Sequence, residues 1–315
     1  MTTTVFVLHP VAPFRLDLVA WALRRRPTNA LDRWDGRSYR RAMATADEVV
    51  EAEVGQTGPA ENPDLLVRLT GPQAALGSAK DQIGEILSRS LGLGMDLNAF
   101  YSLAEQDSLL RSLVTRFRGL HPPRFQSWIE ALGNAVSCQQ LSLNVGISLL
   151  NRLTDRYGKA SQNGLRAFPT AEDLARAQSA ELRELGFSTR KATVLITLAR
   201  RLADGDLDLD SLAGADDATV LAELCALDGI GRWSAEYLLL RGFGRLHIFP
   251  GDDVGARDKL RRWLSLPEPL DYRGVNHITE RWAPYAGLVY FHLLLDSLAT
   301  SGWVAATPAA ETDDG

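Results

Sequence analysis

Leu227-Asp228-Gly229-Ile230-Gly231-Arg232-Trp233-Ser234-Ala235-Glu236-Tyr237 is the stretch on which the fold turns. A helix predicted over 217–226 precedes it. Another, predicted over 232–241, follows, with Tyr237, Leu238 and Leu240 supplying apolar surface. A Gly-Ile-Gly turn bends tightly because glycine tolerates positive φ, and Ile230 would plug the corner. The second helix then starts with free main-chain N–H groups, where the helix dipole favours an anion such as a phosphate. An ordinary helix–turn–helix corner has the same pattern, so the turn by itself leaves both readings open.

Outward from the turn, Phe249-Pro250-Gly251-Asp252-Asp253-Val254-Gly255 runs into a helix predicted over 254–264. A carboxylate at that position suits an N-cap. Taken together, LDGIGRWSAEY and RGFGRLHIFPGDDVG at this distance resemble the helix-hairpin-helix DNA glycosylase superfamily, in which an essential aspartate follows the hairpin by about twenty residues. The resemblance implies that Asp253, two residues before Gly255, is the catalytic carboxylate, with Asp252 as the competing assignment. It covers nearly the whole chain and is strongest toward the 3-methyladenine DNA glycosylase II branch. Ala135-Val136-Ser137-Cys138-Gln139-Gln140-Leu141-Ser142, Phe168-Pro169-Thr170-Ala171, Leu185-Gly186-Phe187-Ser188-Thr189-Arg190-Lys191-Ala192 and Glu280-Arg281-Trp282-Ala283-Pro284-Tyr285-Ala286 resemble further segments of that branch.

The chemistry implied is removal of an alkylated purine from duplex DNA. A stacked base must be extruded before it can be attacked. Positive charge then grows on the sugar, and a carboxylate beside it stabilises that charge and aligns a water. Alkylated purines are cationic, so aromatic faces can select them. Trp233 and Tyr237, four apart on one helix face, form a candidate wall, although that spacing equally suits core packing. Strand-cutting relatives carry a lysine where this chain has Trp233. With no other amine expected nearby, a purely hydrolytic, monofunctional enzyme is expected. Gln139 is assigned to the substrate site. Gly229, Gly231, Arg232, Ser234 and Gln140 are assigned to DNA contact, and either glutamine could fill the gap left by the extruded nucleotide. Ala286 and Leu294 stand where relatives often have arginine and tryptophan, which implies a wider or less aromatic pocket. The main-chain carbonyls of Cys225, Leu227 and Ile230 match a monovalent-cation site of the family. The rival readings are an oxidised-purine glycosylase of the same superfamily and a noncatalytic hairpin DNA-binding protein, which would have no use for Asp253.

Fold class follows from the rest of the chain. Residues 1–103 read as a small α+β unit. Strands are expected at 5–8, 38–43, 49–54 and 65–69, with helices at 14–26 and 72–93. Residues 104–300 read as a mainly α region whose first helix is expected at 126–138. The tail, 301–315, has few large apolar residues and is expected to be disordered. The chain has 315 residues, 45% of them hydrophobic and 23% charged, as in ordinary globular proteins. Its net charge of −5 argues against wrapping of nucleic acid by overall field, although 227–262 is locally +2. Cys138 and Cys225 are the only cysteines, which excludes cysteine-held zinc and iron–sulfur clusters. No apolar run approaches a membrane span, and MTTTVFVLHP lacks a basic leader region. A cytoplasmic, nucleoid-associated monomer acting on double-stranded DNA containing damaged bases is therefore expected.

Overall fold

The computed structural model describes residues 2–45 and 48–305. The N-terminal part is a five-stranded antiparallel sheet in the order β1-β5-β4-β3-β2. Its strands are β1 (Thr2–Leu8), β2 (Arg33–Trp34), β3 (Ser38–Ala44), β4 (Val49–Thr57) and β5 (Asp64–Gly71). Alternate residues Val50, Ala52 and Val54 of β4 and Leu65, Val67 and Leu69 of β5 are buried on one face. Helices α1 (Leu16–Arg24) and α2 (Gln73–Ser90) cover that face through Leu16, Val19, Ile83 and Leu87. The four expected strands are present. β2 spans two residues, too few to leave a period.

Helices make up the rest: α3 (Asn98–Ala104), α4 (Ser108–Arg116), α5 (Trp128–Cys138), α6 (Leu143–Tyr157), α7 (Ala171–Ala175), α8 (Ser179–Glu184), α9 (Thr189–Ala203), α10 (Asp217–Cys225), α11 (Arg232–Leu238), α12 (Val254–Trp263), α13 (Tyr272–Thr279) and α14 (Ala286–Thr300). Two apolar cores organise them. One unites α5 through α11. The other unites α3, α4 and α12 to α14 with Leu18 and Ala22 of α1. Sequence reading missed α3 and α4. The missed signal was Asp107, whose carboxylate caps α4 by accepting from the N–H groups of Leu109 (3.0 Å) and Leu110 (3.2 Å). Residue 103 lies inside α3, whose Phe100, Tyr101 and Ala104 pack with the second helical core.

Past α14 the chain stays packed at first. Trp303 stacks on Trp21 at 6.2 Å and Val304 is buried, so the expected disordered tail does not begin at 301. Residues 306–315 of that tail lie outside the described residues.

His292 of α14 is buried beside Phe100 and Phe117. Its Nδ1–H donates to the Leu288 carbonyl at 2.8 Å, and burial pushes its pKa down to about 4. The unfolded chain therefore takes up a proton near the ordinary histidine value while the folded chain resists it. Stability from this group is full above about pH 6.5 and is lost as pH falls toward 4, at roughly 1.4 kcal/mol per pH unit. Thermal melts from pH 7 to 4.5 should show this loss, and His292→Gln should make that part of the profile shallower.

Candidate active site

Helices α10 and α11 form the hairpin. Gly229 takes φ 78°, and a Cβ there would lie 2.4 Å from Val194 Cγ2 on α9. Both the backbone and the close approach thus demand glycine at this position. Gly231 is different. It is the N-cap of α11 at φ −93°, exposed, and a Cβ there would meet no atom within 4 Å. The turn therefore needs positive φ at its first glycine only, and the second keeps open space in front of the helix start. Ile230 is buried, as a plug would be. The carbonyl of Leu227 accepts the Ile230 N–H at 3.0 Å. No main-chain N–H among the described residues donates to the carbonyls of Cys225 or Ile230.

Long-range partners separate the two aspartates. Asp252 Oδ2 accepts from Arg232 Nε (2.9 Å), and that guanidinium lies 4.0 Å over the Tyr272 ring. Asp253 caps α12, its Oδ1 accepting from Ala256 N–H at 2.9 Å, while its Oδ2 accepts from the Tyr290 hydroxyl at 3.1 Å. Burial first, then the negative charge of Asp253, hold the Tyr290 phenol well above its usual pKa, so it remains a donor. Glu236 joins the hairpin to the aspartate loop. Its Oε2 accepts from Gly251 N–H at 3.1 Å and its Oε1 from Tyr272 OH at 2.7 Å. His247 contacts Asp217, outside this constellation.

Asp253 opens onto a cleft of about 900 Å³ between the two helical cores, lined also by Trp233, Tyr237, Gln139, Gln140, Tyr290 and Leu294. Trp233 and Tyr237 stack, with ring centroids 5.5 Å apart and planes 20° apart. Tyr237 is almost wholly buried, so its ring backs Trp233 while its hydroxyl accepts from Arg25 Nη1 at 3.0 Å. The pair is core and cleft wall at once. Gln139 is not free to enter a gap in DNA. Its Nε2 donates to the Gly229 carbonyl (2.8 Å) and to Ser234 Oγ (2.9 Å), and Ser234 is buried. Those two bonds lock α5 to the hairpin. Gln140 is exposed in the left-handed region at φ 54°. Ala286 is buried and does not line the cleft, whereas Leu293 and Leu294 do.

Residues that sequence reading missed complete the floor. Arg25, at φ 59° just past α1, donates to Tyr237 and to Asn134 Oδ1 (2.5 Å). The N-terminal unit thus supplies part of the cleft; the run Arg24-Arg25-Arg26 was its only trace in the sequence. Two lysines also line the cleft, contrary to the expectation that no amine lies near Trp233. Lys191 Nζ donates to the carbonyls of Ser137 (3.2 Å) and Gln139 (2.7 Å), and Lys259 Nζ to that of Gly255 (3.3 Å). Burial lowers the pKa of each; Asp253 opposes the shift at Lys259. Among the described residues no cluster of His, Cys, Asp or Glu could hold a metal, and no helix is long and apolar enough to cross a membrane. Both cysteines are free thiols.

A glycine-turn hairpin is thus set against a capped aspartate at the wall of one cleft. Residues 134–284 match the family model of the HhH-GPD superfamily base excision DNA repair protein. The DNA-3-methyladenine glycosylase of Bacillus subtilis is 27% identical over 242 residues, which are 76% of this chain and 80% of that one. The 3-methyladenine DNA glycosylase of Archaeoglobus fulgidus superposes with a TM-score of 0.80 at 25% identity, over 94% of this chain and 99% of that one. The 8-oxoguanine glycosylase/lyase of Clostridium acetobutylicum in complex with double-stranded DNA, TM-score 0.72 at 17% identity over 96% of this chain and 99% of that one, shares the fold alone. The chain belongs to the HhH-GPD superfamily of base excision DNA repair proteins, and its relatives fall in the 3-methyladenine DNA glycosylase branch.

Proposed function

We infer that the protein is a monofunctional DNA glycosylase that excises alkylated purines from duplex DNA by hydrolysis. The observation that carries this reading is the Asp253 carboxylate, fixed by the Ala256 N–H and the Tyr290 O–H at the wall of a cleft roomy enough for a nucleotide. The C1′–N bond breaks with its electron pair going to the base, which in a cationic alkylpurine leaves neutral. Developing charge on the sugar faces Asp253 across a water-poor site. Water adds to C1′, its proton passes to Asp253 and on to solvent, and an abasic site remains. The exposed face of Trp233 offers the departing cation a π surface. Gln140 fills the vacated gap, and the free N–H groups at Gly231 and Arg232 receive a phosphate. The unbonded carbonyls of Cys225 and Ile230, with that of Leu227, suit a monovalent cation in the hairpin. The protein would work as a monomer on chromosomal DNA in the cytoplasm. Incubation with methylated duplex DNA and mass spectrometry of the released bases tests the reading; release of no methylated purine would overturn it.

Absence of strand cutting rests on how the two lysines are engaged. Each ammonium donates to main-chain carbonyls, and Lys259 also faces the Asp253 charge. Borohydride added during turnover should therefore trap no protein–DNA adduct, and the strand should stay intact without added base. A trapped species lost on Lys259→Met or Lys191→Met would establish a Schiff-base mechanism instead.

A further inference from the structure

Arg241 occupies an unusual position for a buried cation. It sits in a π-helical turn, Leu239–Phe243, that continues α11, a geometry frequent at functional sites. It extends the stripe Trp233–Tyr237 by another four residues, and all three side chains line the cleft. The residue is 1% exposed. Its guanidinium lies among the rings of Phe125 (4.9 Å), Phe291 (5.2 Å) and Tyr237 (5.8 Å). Nη2 donates to the Ala22 carbonyl at 3.0 Å. Among the described residues Nη1 and Nε donate to no acceptor, and Arg241 is one of the residues lining the cleft. The buried carboxylates nearby do not answer this charge, since Asp32 and Glu130 are both paired with Arg41, at 2.7 and 2.6 Å.

An unpaired donor on a buried residue of the cleft wall calls for an acceptor on the ligand. The neighbouring phenol points the same way. Tyr237 already accepts from Arg25, so its own proton is left to donate. Asp253, the carboxylate of the cleft wall, already accepts from Tyr290 and Ala256.

We propose that Arg241 selects the extruded base by donating to a ring carbonyl, so that the cleft favours 6-oxopurines over 6-aminopurines. This rests on the glycosylase reading above and names its substrate class. A purine O6 would accept a charge-assisted hydrogen bond from the guanidinium. An exocyclic N6 amino group would instead set donor against donor and leave Nη1 unsatisfied. Among alkylated purines, 7-methylguanine is therefore the better substrate and 3-methyladenine the poorer. Both are cationic in DNA, so charge does not distinguish them; they differ at the six-position, in the 2-amino group and in the methylated nitrogen.

Methylated duplex DNA carries both bases and provides the test. Release of each is measured by mass spectrometry and divided by its own spontaneous rate. The enhancement for 7-methylguanine should exceed that for 3-methyladenine by about 10- to 100-fold, the range of one hydrogen bond to a charged group. In defined duplexes, hypoxanthine should likewise outrank ethenoadenine, which has no carbonyl. Arg241→Met should bring the two enhancements within about threefold of each other. An equal or larger enhancement for 3-methyladenine in the wild type overturns the proposal, as does an unchanged ratio in a folded Arg241→Met protein. If that variant does not fold, the wild-type ratio decides. Release of neither base overturns the glycosylase reading itself, an outcome distinct from release in the wrong order.

Discussion

Asp253→Asn should slow base release by at least about 10²- to 10³-fold, the scale of removing a preorganised charged group from a reaction centre. Two features make the substitution clean. Asparagine is as good an N-cap as aspartate, so the bond to Ala256 N–H and the start of α12 survive. The amide N–H2 that replaces Oδ2 can donate to the Tyr290 oxygen where the carboxylate accepted from it. The negative charge is lost, and that charge is what the growing cation on the sugar requires. Affinity for a duplex with an abasic analogue should stay within a few-fold of wild type, because the carboxylate touches no phosphate in this reading. Asp252→Asn offers the contrast. It weakens an ion pair to Arg232, whose side chain is 52% exposed, and such pairs contribute about 0–1 kcal/mol. Single-turnover release by both variants decides the matter: an Asp253→Asn protein keeping more than a tenth of the activity, with Asp252→Asn losing it, would reverse the assignment.

The second large effect separates two glycines one residue apart. Gly229→Val places a β-branched residue at φ 78° with its Cβ 2.4 Å from one Val194 methyl and 2.8 Å from the other. Backbone strain and overpacking together should cost on the order of 2–6 kcal/mol, read as a lower midpoint in urea. Gly231→Val meets no neighbour and needs no unusual φ, so it should cost only about 1 kcal/mol, the difference between glycine and valine at an N-cap. It should instead weaken DNA binding more than any single arginine change, because the added methyls fill the space in front of the N–H groups of α11. Few phosphates are engaged by this route, so the log–log salt slope should be shallow, about −2 to −4. A Gly231→Val protein that binds normally would place the DNA contacts elsewhere.

How much of this was legible in advance follows the reach of each interaction. The hairpin glycines, the N-cap aspartate and the alternation of β4 and β5 are set by residues within a few positions of one another. Turn chemistry, capping and period carry them, and the resemblance to a repair family rested on the same short motifs. α3 and α4 escaped although α10 and α11, of 9 and 7 residues, did not; the Asp107 cap that starts α4 was the signal overlooked. The two glycines looked interchangeable in a Gly-Ile-Gly turn. Only the packing of Val194 from α9 distinguishes the crowded one from the open one.

The sequence alone determined that a tight glycine turn joins two helices and that an aspartate starts the helix beyond it, because both are local choices of backbone conformation and cap. Both aspartates line the cleft, and tertiary structure gave them different partners, Arg232 for Asp252 at 20 residues' separation and Tyr290 for Asp253 at 37. It also decided that Gln139 locks the hairpin across 90 residues while Gln140 stays exposed, and that Arg25 reaches Tyr237 across 212. Contacts at such separations depend on how distant helices dock their apolar faces, and no periodicity within one helix encodes the partner that another will bring to it.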